Sequence, residues 1–275
     1  MSEQAAFTLW RGLRLAICGL VVVMMLAPLA IVLILSFSAA PFLTFPPPGL
    51  SLQWYHKFFT DPAWMATLRT SIEVMIPSAL LASGLGTAAA IALSRVRIRG
   101  ASALLGLLMA PLVVPVIITA AAIFGAFRVW GLYGTLSGLI LAHTVLTIPF
   151  VLSTTLASLR MVDRALESAA LTLGATPWRT FRRITLPLIL PGVLSGLLFA
   201  LVISFDELTV SLFISTPDVR PITVQMWSDV RGSVDPTITA IASSLFLFTL
   251  AVMLAETVVS RRMQGRRPPL TALGF

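Results

Sequence analysis

The chain has 275 residues, 57% of them apolar or aromatic and only 11% Asp, Glu, Lys or Arg, against about 25% charged residues in a soluble domain. Its formal net charge is +8, from nineteen basic and eleven acidic residues. So few charges exclude an ordinary soluble fold, which would leave large apolar patches in water, and the basic residues are spread too thinly between apolar runs to make a nucleic-acid surface.

A helix needs about 20 apolar residues to cross a bilayer core. Six stretches meet that length, at about residues 15–37, 68–94, 103–127, 136–158, 188–214 and 238–260. They are too long and too uniformly apolar for barrel strands, so the expectation is an all-α polytopic membrane protein with a single transmembrane domain. The first run is longer than the core of a cleaved signal peptide and reads as a retained span. After it comes an aromatic-rich segment holding Leu52, Trp54, Tyr55, Phe58, Phe59 and Trp64. Rings of that kind favour the headgroup level, which suggests an interfacial helix, with a partner-docking surface as the alternative.

Orientation follows from the arginines. Segments holding Arg11 and Arg14, then Arg95, Arg97 and Arg99, then Arg160, Arg164, Arg179, Arg182 and Arg183, then Arg261, Arg262, Arg266 and Arg267 carry fourteen positive charges. The alternate segments carry five: Lys57, Arg69, Arg128, Arg220 and Arg231. The richer set faces the cytoplasm by the positive-inside rule, with both termini inside. The high pI of about 11.3 is therefore mainly a topology signal.

Within the spans, Pro77, Pro111, Pro115 and Pro149 predict kinks, and Gly84, Gly86 and Gly106 predict close helix crossings. Asp206 and Glu207 lie about 27 Å from the inner end of span five at 1.5 Å per residue, close to the outer mouth. Adjacent residues on a helix point about 100° apart, so one of the two is expected to face a pore. An acidic entrance for a cationic solute is one reading of this pair; an interfacial pair capped by water, Arg69 or Arg128 is the other. His143, in span four, is expected to hydrogen-bond a neighbouring helix. Glu73 and Glu256 sit close to span ends and read as interfacial or subunit-contact residues.

The longest inner connection, residues 159–187, divides into two short helical pieces. Asp163 suits the cap of the first and Gly174 its end; Thr176 and Pro177 suit the start of the second. On the second, Trp178, Phe181 and Ile184 alternate with Arg179, Arg182 and Arg183. Composition alone leaves two readings open here, a linker held on anionic lipid and a docking site for a partner protein. No Gly-x-x-x-x-Gly-Lys-[Ser/Thr] run is present, and the one lysine is Lys57. The chain therefore cannot cradle a nucleotide phosphate in that way. No metal-ligand spacing, nucleophile elbow or dinucleotide fingerprint accompanies it, which leaves an embedded enzyme without a catalytic constellation.

In this connection Glu167-Ser168-Ala169-Ala170-x-x-x-Gly174, followed after nine residues by Ile184-x-Leu186-Pro187, resembles the EAA loop of binding-protein-dependent ABC importer permeases. The spacing from Gly174 to Pro187 matches throughout, but the family glutamate falls on Ser168, with Glu167 one position early. Ser204-Phe205-Asp206-Glu207, Gln225-Met226-Trp227-Ser228 and Asp235-Pro236-Thr237 resemble the spermidine/putrescine-type subfamily.

The resemblance implies a type I importer permease in the bacterial inner membrane, moving a small cationic solute such as a polyamine. It implies a second, related permease subunit, two ABC ATPase subunits, an extracytoplasmic solute-binding protein and surrounding lipid as partners, with no nucleic acid. ATP and Mg would sit on the ATPase partners, with no cofactor on this chain. Glu167, Ser168, Ala169, Ala170, Gly174, Trp178, Arg182, Ile184, Leu186 and Pro187 would form the coupling loop, and Asp206 and Glu207 would line the solute pathway. An opine, an aminophosphonate or another amine is the alternative solute. An ion-coupled secondary transporter is the alternative mechanism, although no mid-span carboxylate or clear inverted repeat supports it.

Overall fold

The computed structural model describes residues 3–96, 99–232 and 235–264. Of the arginines expected on the inner side, Arg97, Arg266 and Arg267 lie outside the described residues, as do the side chains of Arg261 and Arg262; so does the side chain of Glu256. In chain order the helices are α1 (Glu3–Leu35), α2 (Gln53–Thr60), α3 (Pro62–Arg95), α4 (Ala101–Val113), α5 (Val116–Val129), α6 (Leu136–Arg160), α7 (Arg164–Thr172) and α8 (Pro177–Thr180). They are followed by α9 (Leu186–Asp206), α10 (Thr209–Ile214), α11 (Ile222–Gly232) and α12 (Thr237–Gln264). Among the described residues, five helical stretches are long and apolar enough to cross a membrane, and six if α4 and α5 together form one span.

The bend between α4 and α5 is sharper than the kink that Pro115 predicts within the third span. The two helices meet at 106°. The cause is local: Pro115 has no N–H to continue the ladder, and the residue before a proline is driven to extended geometry. Val114 accordingly sits at φ −73°, ψ 131°, and Pro115 at φ −53°, ψ 128°. Pro77, Pro111 and Pro149 are instead accommodated inside α3, α4 and α6. Span five is shorter than its apolar run as well, because α9 stops at Asp206 and α10 begins three residues later.

The chain divides into two compact units, Met1–Met65 with Met226–Leu247, and Ala66–Gln225 with Phe248–Phe275. In the first, the aromatic segment after α1 is hydrogen-bonded to the turn that follows α1. Trp54 donates its indole N–H to the Ser38 carbonyl at 2.8 Å, and the Tyr55 and Ser36 hydroxyls share a 2.8 Å hydrogen bond. Phe58 and Trp64 are buried while Leu52 and Phe59 remain exposed. Lys57 pairs with Asp235. Burial pushes the Asp235 carboxyl up, but hydrogen bonds from Lys57 and Thr237, with the Lys57 charge, outweigh it and hold the group below its ordinary value. The window Trp10–Leu35 of α1 is hardly covered by the rest of the chain.

The second unit is built around α6. Its core joins Val74 of α3, Ala120 and Phe127 of α5, Leu139, Ala142 and Leu146 of α6, and Val210 and Ile214 of α10. A second cluster joins Ala90, Leu152, Leu159, Val162 and Ile189. The α6–α9 crossing is close because α9 presents glycines to it. A Cβ on Gly196 would lie 2.5 Å from Thr154 Oγ1 and 2.8 Å from Val151 Cα, and one on Gly192 would lie 2.0 Å from Ser158 Oγ. Of the three glycines that sequence nominates, only Gly86 makes such an approach, against Val151; Gly84 and Gly106 face open space. Hence Gly196→Ala should lower stability by about 1–3 kcal/mol through overpacking. Gly84→Ala, which adds a methyl in open space and gains helix propensity, should leave the thermal unfolding midpoint unchanged or slightly raised, and a scan of both variants in detergent checks the contrast.

Candidate functional site

The connection from α6 to α9 folds as its cap residues dictate. Asp163 Oδ1 accepts the Ala165 N–H at 2.9 Å at the start of α7. Gly174 ends it at φ +84°, a conformation that a side chain resists, and the Ala175 N–H closes the end on the Ala170 carbonyl at 3.0 Å. Thr176 Oγ1 then accepts from the Arg179 N–H at 3.3 Å, with Pro177 in the first turn of α8. Residues Phe181–Thr185 form a π-helical turn, where the Leu186 N–H reaches the Phe181 carbonyl. Pro187 follows at once, and its ring cannot sit under an ordinary i−4 carbonyl, which is a physical reason for the wider turn.

One carboxylate fastens this loop to the spans. Glu167 Oε1 accepts from Arg95 Nη2 at the C-terminal end of α3 and from Thr185 Oγ1 just before α9, both at 2.8 Å. The Arg95 and Glu167 side chains are only 19% and 18% exposed. Arg164 adds a 2.5 Å bond to the Ser94 carbonyl. The one-residue shift of the glutamate therefore has a consequence: Glu167 points into the fold, while Ser168 and Ala169 are exposed and Ala170 is half-buried. Arg182 and Pro187 are exposed, and Ile184 and Leu186 are half-buried. Large apolar side chains also stand free on the loop, with Leu173 87% and Trp178 68% exposed, and Leu166 and Leu171 about half. Such a patch marks a surface that another molecule covers.

At the other end of α9 the two acidic residues part. Glu207 is extended, at φ −68° and ψ 113°, and its carboxylate turns inward over the start of α10. Oε1 accepts from the Val210 N–H and Oε2 from the Ser211 N–H, both at 2.9 Å. These are donors that a helix start leaves unpaired. Below them lies a buried polar chain that sequence reading did not assemble. His143 Nε2 is 3.0 Å from Ser211 Oγ and 3.9 Å from Glu207 Oε2. His143 Nδ1 is 2.9 Å from Ser204 Oγ, which in turn lies 2.9 Å from Ser78 Oγ on α3. His143 thus bonds α9 and α10, in keeping with its expected role. The serines carried no signal of their own, being small residues in apolar runs.

Asp206 by contrast is exposed, and its side chain has no ion pair or hydrogen bond with a described residue. Neither arginine proposed as its cap reaches it: Arg69 pairs with Glu73 at 2.7 Å, and Arg128 lies 5.7 Å over the Phe124 ring. The neighbouring carboxylates therefore do different work, one closing a helix and one left free. No group of three or more His, Cys, Asp or Glu that could hold a metal occurs among the described residues.

Residues 82–265 match the family described as the binding-protein-dependent transport system inner membrane component. The chain belongs to this family. It is 34% identical over 224 residues to the putrescine transport system permease protein PotI of Escherichia coli K12, covering 79% of each chain. It is 32% identical over 214 residues to the spermidine/putrescine transport system permease protein PotC of Haemophilus influenzae, covering 78% of this chain and 83% of that one. Among solved structures, its fold is similar to a chain of a bacterial ABC transporter that imports the acidic polysaccharide alginate. There the TM-score is 0.71 at 17% identity, with 94% and 96% of the two chains covered. A methionine ABC transporter, MetNI, follows with a TM-score of 0.60 at 18% identity, covering 74% and 99%. The permease is an inner-membrane transport component and not an enzyme, with a type I importer fold. That membership removes the ion-coupled secondary transporter as an alternative.

The geometry separates the two acidic residues by a stability measurement. Glu207→Ala, which strips two N–H groups of their acceptor, should cost about 1–2 kcal/mol. Asp206→Asn should change stability by no more than about 0.5 kcal/mol. Thermal unfolding of the two purified variants reads the difference directly.

Proposed function

We propose that the permease translocates a small cationic solute of the polyamine class in an ATP-driven importer, and that Asp206 is the carboxylate the solute meets. The observation that carries this reading is the free Asp206 side chain at the broken end of α9, beside a Glu207 already engaged as a helix cap. The relatives named as putrescine and spermidine/putrescine permeases support the choice of solute. A carboxylate near the pathway entrance lowers the energy of a cation leaving water and disfavours anions.

The energy would come from two ABC ATPase subunits bound to α7 and the turn at Gly174 that ends it, with a second, related permease completing the pore. A binding protein outside the membrane would deliver the solute. Both termini and the loop would lie in the cytoplasm, following the arginine distribution. The exposed Leu166, Leu171 and Leu173 of α7 and its end support docking there, and the Glu167 bonds to Arg95 and Thr185 give a route for force. A push on α7 would reach the inner ends of α3 and α9 together, through short polar contacts and not through a flexible linker.

Reconstitution of the whole importer in proteoliposomes tests both halves. Asp206→Asn should lower putrescine uptake about tenfold or more, the loss expected for a charge-assisted contact, while the ATPase still co-purifies. Gly174→Leu, which forces a bulky residue into the left-handed turn, should abolish uptake by displacing the loop. Normal uptake by Asp206→Asn would remove the acidic entrance, and normal uptake by Gly174→Leu would remove the docking role.

A further inference from the structure

We propose that Trp178, Arg179, Arg182 and Arg183 form a binding site for the headgroup of an anionic phospholipid in the leaflet where α9 begins. The inference rests on the cytoplasmic orientation argued above, but it concerns a site separate from the solute pathway. The four side chains line a hollow of about 410 Å³. All four are exposed, and none of the three guanidinium groups has an ion pair or hydrogen bond with a described residue. Residues 178 and 182, like 179 and 183, are four apart, which places them about one helical turn from each other. Three unpaired cations around one hollow repel one another until an anion lies between them. Guanidinium groups match the oxygens of a phosphate with paired, planar donors.

Position then distinguishes lipid from other anions. Arg183 precedes Leu186, the first residue of α9, by three residues, about 5 Å of helical rise. That is headgroup depth for a helix whose apolar run starts there, and Trp favours the same level. The Trp178 ring lies 5.5 Å from the Phe181 ring. Phe181 in turn lines a mostly apolar groove of about 340 Å³, with Leu80, Gly84 and Ala88 of α3 and Val193 of α9 among its walls. A cationic hollow beside an apolar groove is complementary to an amphiphile with an acidic head and an acyl chain. A free phosphate or an acidic peptide would leave the groove unused. The assignment gives Trp178 and Arg182 to lipid and leaves the exposed leucines of α7 and its end for the ATPase.

Native mass spectrometry of the detergent-purified permease, titrated with phosphatidylglycerol, phosphatidylcholine or inorganic phosphate, tests this. Phosphatidylglycerol should be retained about tenfold or more over phosphatidylcholine. The combined Arg179→Gln, Arg182→Gln and Arg183→Gln variant should lose that preference. The corresponding triple Arg→Lys variant, which keeps the charges, should retain most of it, separating a binding defect from a folding one. Equal retention of the two lipids, or a preference untouched in the glutamine variant, would overturn the proposal. Displacement of phosphatidylglycerol by millimolar inorganic phosphate would overturn it too, by making the hollow a site for free oxyanions. So would loss of ATPase co-purification in the glutamine variant with lipid retention unchanged, which would assign the surface to the protein partner.

Discussion

A helix that breaks inside a membrane protein must find partners for the backbone groups it frees, because hydrocarbon offers none. At the C-terminal end of α9 one side chain meets part of that requirement. Glu207 supplies both carboxylate oxygens to the Val210 and Ser211 N–H groups and so allows α9 to stop and α10 to start. The serines and the histidine beneath it link α3, α6, α9 and α10 into one hydrogen-bonded unit. Once Glu207 is committed in this way, Asp206 is the acidic group that remains free at the break.

The opposite end of α9 is governed by the same economy of polar groups. Glu167 joins the C-terminal end of α3 to the residue preceding α9, so the loop that would receive force is tied to two spans and not to one. Between these ends α9 crosses α6 at a distance only glycine permits, with Gly192 and Gly196 against Ser158, Thr154 and Val151. Close packing of this kind transmits displacement instead of absorbing it. A rigid α9, pinned below by Glu167 and broken above at Glu207, connects the proposed docking surface to the proposed solute contact.

Much of this was legible in the amino-acid sequence, for identifiable reasons. Apolar runs announce spans because about 20 residues are required to cross. Asp163, Gly174, Thr176 and Pro177 announce the α7–α8 loop because caps and left-handed turns demand particular residues. The breaks were not legible. Pro115 reads as a kink like Pro77 or Pro149, and the sequence does not show that Val114 and Pro115 both turn extended and part α4 from α5 by 106°. Glu207 reads as a twin of Asp206, since its acceptors' partners lie three and four residues downstream in an apolar run that looks continuous. Gly84 and Gly106 were nominated for crossings and Gly192 and Gly196 were not. A glycine shows its use only when the helix face it occupies is known.

The central claim is that position 206 presents a negative charge to the solute. Its most direct test is charge restoration at that position in the whole importer, in a Cys18→Ser background so that the introduced thiol is the only one on this chain. Asp206→Cys should transport putrescine poorly. Modification with a membrane-impermeant thiosulfonate bearing a sulfonate should restore uptake, whereas the reagent bearing an ammonium group should not. Equal restoration by both reagents, or full uptake by the unmodified Asp206→Cys importer, would contradict the account.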